Sequence, residues 1–287
     1  MPELPEVEVV RRSLKKSIIG KKIKKVHIFN RNLRYKINNN FKTILKGQII
    51  RTVKRKSKYL LIGLSNKYTI LIHLGMTGKI FIFDKKKIKK TSFYYDNTIQ
   101  KKHNHFCFEF SKSNKLIYND VRKFGFVKLV KSNEIKTCSH LDFLGPEPLS
   151  KKFSKSYLFQ EFAKTKKNVK NFLMDQKYVS GIGNIYANEI LHVCSINPRK
   201  NTRNINIKDA SNIIQKTKII LKNSITSGGS SIKDFTGISG KNGAFQQKFK
   251  VYAREGLKCK KKKCHGIIKK IYISKRSSFF CTICQNN

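Results

Sequence analysis

Leu144–Ser150 reads LGPEPLS, and the chain changes character across it. Pro146 and Pro148 are two of only five prolines in 287 residues. Each fixes φ and removes a backbone donor, so neither a helix nor an inner strand runs through the stretch. Before it, apolar residues recur with the period of a strand; after it, with the period of a helix. The stretch therefore reads as a domain joint, and the expected class is α+β, with β structure first and helices second. The expected division is a β domain at 1–131, a linker at 132–152, a helical domain at 153–250 and a cysteine-bearing tail at 251–287.

Upstream of the joint, IKKVHIF (23–29), KYLLIGL (58–64), YTILIHL (68–74), KIFIF (79–83), HFCFEF (105–110), KLIYND (115–120) and GFVKLV (125–130) are short and rich in Ile, Val and aromatics. Polar turns separate them, and they read as strands. Phe106, Phe108 and Phe110 alternate, as on the buried face of a half-buried strand. A sandwich or barrel-like sheet is the natural closure. The KKKIKK run at 85–90 reads as a solvated loop. Ahead of the strands, Val7, Val10 and Leu14 form the stripe of an opening helix that Gly20 ends. Downstream, SYLFQEFAK (156–164), NVKNFLMD (168–175), NIYANEILHV (184–193) and IKDASNIIQKTKIILKNSI (207–225) carry helical spacing. SGGSS (227–231) and SGKNGAF (239–245) read as Gly/Ser loops, the second mobile.

The chain holds 63 Lys+Arg against 16 Asp+Glu, a formal net charge of +47. Such a field attracts a polyanion, nucleic acid above all. A compositional bias toward Lys, Asn and Ile would produce part of the same excess. No apolar run reaches the roughly 18 residues of a membrane span, and the acidic start is unlike a signal peptide, so a soluble cytoplasmic protein is expected. Cys107, Cys138 and Cys194 stand singly, which argues against a disulfide framework.

The other four cysteines form Cys259-x4-Cys264-x16-Cys281-x2-Cys284. Two close pairs joined by a hairpin's length match a closed four-sulfur zinc site, which substitutes for a core that so short a tail cannot build. Between the pairs, KKIYISKRSSFF reads as two strands with Arg276 near the turn, either a phosphate contact or a solvated arginine. In MDQKYVSGIGNIYANEI (174–190) the GIGN turn opens a helix whose free N–H groups suit a phosphate, with Asn184 as a further donor; a plain helix-helix turn accounts for it as well.

MPELPEVE places three of the scarce acids, Glu3, Glu6 and Glu8, in the first eight residues. Pro5, Glu6 and Glu8 fit the first turns of a helix; Pro2 and Glu3 do not need to be there for that. Removal of the initiator Met would leave Pro2 as a secondary amine able to attack an aldehyde-level carbon and form an iminium. An α-amino group titrates at about 7.7–8.0, and the positive helix end lowers it further by disfavouring an ammonium. Glu3 alongside is placed to move protons.

With these pieces assembled, the chain resembles the bacterial formamidopyrimidine-DNA glycosylases, the 8-oxoguanine repair enzymes, over essentially its whole length. MPELPEVE, KRKSKYLL, IHLGMTG, DVRKFG, LGPEPL, LMDQKYVSGIGNIYANEI, GGSSIKDF, GKNGAFQQKFKVYAREG and RSSFFCTICQ occur in the family's order. The resemblance implies an N-terminal catalytic β-sandwich flanked by helices, then a helix-two-turn-helix domain ending in a β-hairpin zinc finger, with damaged duplex DNA in the cleft between them. It implies a monomeric glycosylase and AP lyase in which Pro2 is the Schiff-base nucleophile and Glu3 the acid/base, with Glu6 in support and Lys58 near the amine and the phosphates. Met76, Arg122 and Phe124 match the trio that fills the gap left by an extruded base. His103, Arg122, Lys166 and Asn184 match DNA contacts. Arg276 matches the finger arginine that grips the lesion phosphate and is counted with Pro2, Glu3 and Lys58 as catalytic through the final elimination step; Cys259, Cys264, Cys281 and Cys284 match the ligands of one structural zinc, and 236–245 the flexible cap over the damaged base. The first cysteine pair departs from the family's usual two-residue spacing, which points to a looser first knuckle. An endonuclease VIII-like enzyme for oxidised pyrimidines is the nearest alternative; Leu4, where that branch tends to carry glycine, and the long 236–245 region favour the purine branch. A non-catalytic DNA-binding relative is the other, and the intact Pro2, Glu3 and Lys58 argue against it.

Overall fold

Helix α1 spans Leu4–Ile18. Pro5 sits in its first turn, where its missing N–H would have had no intrahelical partner. Val7, Val10, Leu14 and Ile18 recur at three- and four-residue spacing and are all fully buried, so one face of the helix belongs to the core. The structure, a computed structural model, describes residues 1–84, 87–89, 100–230 and 248–286. It divides into two compact units: Met1–Asp142 with the segment from Ile225, and Phe143–Ser224 with the C-terminal segment.

In the first unit, strands β1 (Lys25–Ile28), β2 (Ile50–Lys56), β3 (Tyr59–Leu64), β4 (Tyr68–His73), β5 (Lys79–Asp84), β6 (Lys87–Lys89), β7 (Asn104–Ser111), β8 (Asn114–Asn119) and β9 (Phe126–Lys131) are joined by one short helix, α2 (Phe41–Leu45). They form two antiparallel sheets, β1-β7-β8-β5-β6 and β2-β3-β4-β9. One hydrophobic core draws on α1 and on both sheets, with Leu60 and Ile62 in the same cluster as Phe106, Phe108 and Tyr118. This is the expected sandwich with helices against it.

Three local expectations change. β2 was not expected, because Arg51, Lys54, Arg55 and Lys56 mask it; only Ile50 and Val53 of the strand are buried, Arg51 and Lys54 are exposed, and Arg55 is half-buried against Glu8. Lys87–Lys89, expected as a loop, pair with the end of β5, as edge strands rich in lysine do. HFCFEF is buried on both faces, with His105 and Cys107 only 1% and 3% exposed. β7 lies between β1 and β8, and the His105 ring satisfies its Nε2 on the Asp120 carbonyl at 3.0 Å.

The second unit holds α3 (Lys155–Ala163), α4 (Val169–Met174), α5 (Asn184–Val193), α6 (Ile207–Thr226) and the hairpin β10 (Ile268–Ile273) and β11 (Arg276–Cys281). Side chains of Ser154 and Asn168 accept from Tyr157 N at 3.2 Å and Asn171 N at 2.8 Å, capping α3 and α4. The hairpin turns on Ser274 and Lys275, whose φ angles of 48° and 61° give the twist that two-residue hairpins require. The loop expected at 239–245 and the cap at 236–245 lie outside the described residues.

Candidate functional site

The start of α1 is held by Glu6. Its Oε2 accepts from the Glu3 amide at 2.9 Å, and its Oε1 accepts from both the amide and the hydroxyl of Ser230, at 2.8 and 2.9 Å. Gly229, at φ +86°, brings the SGGSS loop so close that an added Cβ would lie 3.4 Å from the Glu6 side chain. Pro2 is buried, and Glu3 and Glu6 are 2% and 0% exposed. Glu8, one turn on, accepts from Arg55 Nε at 3.1 Å. Burial works against the Glu8 carboxylate, but Arg11, Arg12 and Arg55 outweigh it and hold its pKa below the ordinary value. Arg55 also donates to the Ser57 carbonyl at 2.8 Å, fixing the tight turn (Ser57 φ 54°) that presents the buried Lys58.

Met76, Arg122 and Phe124 come from two turns, the β4–β5 turn and the β8–β9 loop, and line one pocket with Met1, Arg34, His73, Gly75 and Lys123. The Arg122 guanidinium lies 4.6 Å from the Phe124 ring centre, within cation–π range. The two turns are tied together by Asp120, which is fully buried. Its Oδ1 accepts from the Thr77 hydroxyl and its Oδ2 from Gly125 N at 2.8 Å, while Thr77 Oγ1 accepts from Arg122 N at 3.0 Å. Gly75, at φ +61°, sits where a Cβ would strike the Gly125 nitrogen at 2.4 Å. His73 is held neutral: burial, then the charges of Lys58 and Arg34, push its pKa down to about 4. His103 ends a 3-10 turn, Lys101–His103, and its carbonyl accepts from Asp120 N at 3.0 Å. Its pKa is lowered by desolvation and by Lys102.

In the second unit, Gly183 caps α5 and Asn184 is its first residue. The Asn184 amide donates to the Ser277 carbonyl at 3.0 Å, so this donor is engaged with the hairpin. Arg276, exposed, is the first residue of β11, opposite Ile273. Lys166 is exposed in the α3–α4 connection, where its carbonyl accepts from Asn201. Lys170, which the sequence reading passed over, is fully buried and donates to Ser277 O at 3.0 Å and Ser278 Oγ at 2.5 Å. The Sγ atoms of Cys259, Cys264, Cys281 and Cys284 lie within 4.8 Å of one another, with Cys259–Cys284 at 4.0 Å and Cys264–Cys281 at 3.6 Å. A tetrahedral ion with bonds of about 2.3 Å sets sulfurs roughly 3.8 Å apart, so the four residues fit a metal ion. Within the wider first pair, Lys261 N donates to Cys259 Sγ at 3.5 Å.

Two family models match the chain, the formamidopyrimidine-DNA glycosylase N-terminal domain over residues 1–127 and the H2TH domain of the same enzymes over 144–236. The formamidopyrimidine-DNA glycosylase of Wolbachia pipientis wMel is 40% identical over the full length of both chains. The chain belongs to the formamidopyrimidine-DNA glycosylase family. Among solved members, the Lactococcus lactis enzyme in complex with Fapy-dG-containing DNA superposes with a TM-score of 0.85 at 31% identity, covering 99% of this chain and all of the other. A MutM complex with DNA containing carbocyclic 8-oxo-G gives 0.85 at 32% identity over the whole of both. In this member of the family, the residues that sequence reasoning missed are the braces: Asp120, Thr77, Ser230 and Lys170. Thr77, Asp120 and Ser230 stand inside the motifs IHLGMTG, DVRKFG and GGSSIKDF; Lys170 gave no local signal.

Proposed function

We propose that this chain is a bifunctional DNA glycosylase and AP lyase that removes oxidised purines, 8-oxoguanine and formamidopyrimidines, from duplex DNA. The observation that carries the reading is the Pro2–Glu3 start of α1, buried and fixed by Glu6, within a family member that keeps Lys58 and the Met76, Arg122 and Phe124 cluster. With Met1 removed, the Pro2 nitrogen attacks C1′ of the damaged nucleotide; the glycosidic bond breaks and its electron pair leaves with the base, which takes a proton. Glu3 is the group placed to handle that proton. The adduct then opens its sugar ring: the C1′–O4′ bond breaks, O4′ takes up a proton equivalent to the one that the Pro2 nitrogen gives up, and C1′ becomes an iminium carbon. The iminium acidifies the C2′ proton, whose loss expels the 3′ phosphate, and a second elimination expels the 5′ phosphate.

A base inside a duplex is out of reach, so the nucleotide must be turned out. Met76, Arg122 and Phe124 are assigned to the vacated stack; an unbranched thioether and an arginine lying over an aromatic ring suit a gap between base pairs. Lys58, His103, Lys166, Asn184 and Arg276 are assigned to DNA contacts, Lys58 and Arg276 beside the reacting nucleotide. The four cysteines are assigned to one structural zinc, which holds the hairpin that carries Arg276. We assign the catalytic role to the N-terminal domain (1–131), DNA binding to 153–250 and the finger to 251–287, in a monomeric cytoplasmic protein.

The test is strand cleavage on duplexes bearing 8-oxoguanine opposite cytosine or an oxidised pyrimidine. Faster nicking of the first, leaving phosphate on both ends of the gap, is expected; preference for the second would move the chain to the pyrimidine branch, and binding without nicking would make it non-catalytic.

A further inference from the structure

Helix α5 presents three polar side chains at i, i+4 and i+8, and all three meet the C-terminal segment. Asn184 donates to Ser277 O at 3.0 Å, Asn188 Oδ1 accepts from Phe279 N at 2.7 Å, and His192 Nε2 lies 3.3 Å from Cys259 Sγ. Residues at this spacing share one helix face. Glu189, beside the stripe, accepts from the amides of Lys250, Val251 and Tyr252 at 2.9, 3.0 and 2.8 Å. The helix thus holds the finger at its strand, at its entry and at one of its sulfurs. His192 is fully buried, and its Nδ1 has no hydrogen-bond partner among the described residues. A ring proton on Nδ1 would be buried without an acceptor and would turn the Nε2 lone pair toward the sulfur. On Nε2 it points at the Cys259 sulfur.

We propose that His192 is a positioning residue of the metal centre, donating its Nε2–H to the Cys259 thiolate and so linking metal occupancy to the helix that also holds the Arg276 hairpin. The inference rests on the zinc reading above. A four-thiolate zinc centre carries excess negative charge, and a donor to one sulfur stabilises it while fixing the orientation of that ligand; such partners outside the ligand set typically change metal affinity by about 10- to 100-fold. His192 and Lys261 N both direct donors at Cys259, on the side of the widened first pair.

Zinc is first counted in the purified full chain; absence of bound metal would contradict the zinc reading itself. On the zinc-loaded chain, nitrogen-15 NMR of the His192 ring is expected to show the Nε2-protonated tautomer. The Nδ1-protonated tautomer, with zinc bound, would overturn the inference alone. Competition with a chromogenic chelator is expected to show zinc affinity about 10- to 100-fold lower in His192→Phe, with most of it recovered in His192→Gln, whose amide keeps a donor. Equal affinity in His192→Phe and the parent, or equal losses in both variants, would mean that the ring only packs. If His192→Phe does not fold, the tautomer and the glutamine variant decide.

Discussion

Glu6 joins two parts of the chain that lie 224 positions apart. Its two oxygens accept from the Glu3 amide and from the amide and hydroxyl of Ser230, and a glutamine can offer only one acceptor oxygen. Glu6→Gln therefore sets an N–H₂ against an existing donor, and we expect it to lower stability by about 1–3 kcal/mol in urea melts and to slow excision through the displaced Glu3. MPELPEVE was legible as a helix start with an unexplained Pro-Glu pair in front, but the partner Ser230 was not, since nothing local marks a contact of such span. His73 gives a pH signature. Free histidine titrates near 6.5, whereas His73 in the fold titrates at about 4. The unfolded chain therefore binds more protons between those values, and stability falls as pH drops from about 6.5 toward 4 and is unaffected above that window. His73→Phe, which retains stacking on Phe126, should show a smaller fall in urea midpoint between pH 7 and pH 4.5; an identical fall would contradict the assignment.

At the scale of elements, two turns meet through one buried carboxylate. Thr77→Val removes the donor to Asp120 and the acceptor for Arg122 N while keeping the side-chain shape. Excision of 8-oxoguanine from a duplex should fall about tenfold or more, the rate equivalent of ~1.4 kcal/mol. Cleavage at a preformed abasic site, where there is no base to extrude, should fall less; equal losses would mean that the brace does not serve extrusion. The seven apolar strands were legible because each alternates or runs apolar between polar turns. β2 was not, because a strand whose exposed face is nearly all Arg and Lys carries only Ile50 and Val53 as apolar signal. In α5 the helix was plain from its period, but its polar stripe was not, since Asn and His on a helix face ordinarily point to water.

For the whole molecule, the charge of +47 predicts steep salt dependence. Neutralising 6–10 phosphates costs about 10³–10⁵ in affinity between 50 and 200 mM salt, and binding to undamaged duplex should fall at least that steeply; a shallow slope would assign most of the lysines to compositional bias. Cysteine spacing made the finger legible from sequence, and the family resemblance supplied the roles that spacing could not. The central claim is that the Pro2 nitrogen is the nucleophile. It is tested most directly by borohydride trapping on a duplex containing 8-oxoguanine opposite cytosine, followed by mass mapping of the cross-linked peptide. The account predicts a covalent adduct on a peptide that begins at Pro2 with Met1 absent. An adduct on a lysine, or none while Met1 is retained, would contradict it.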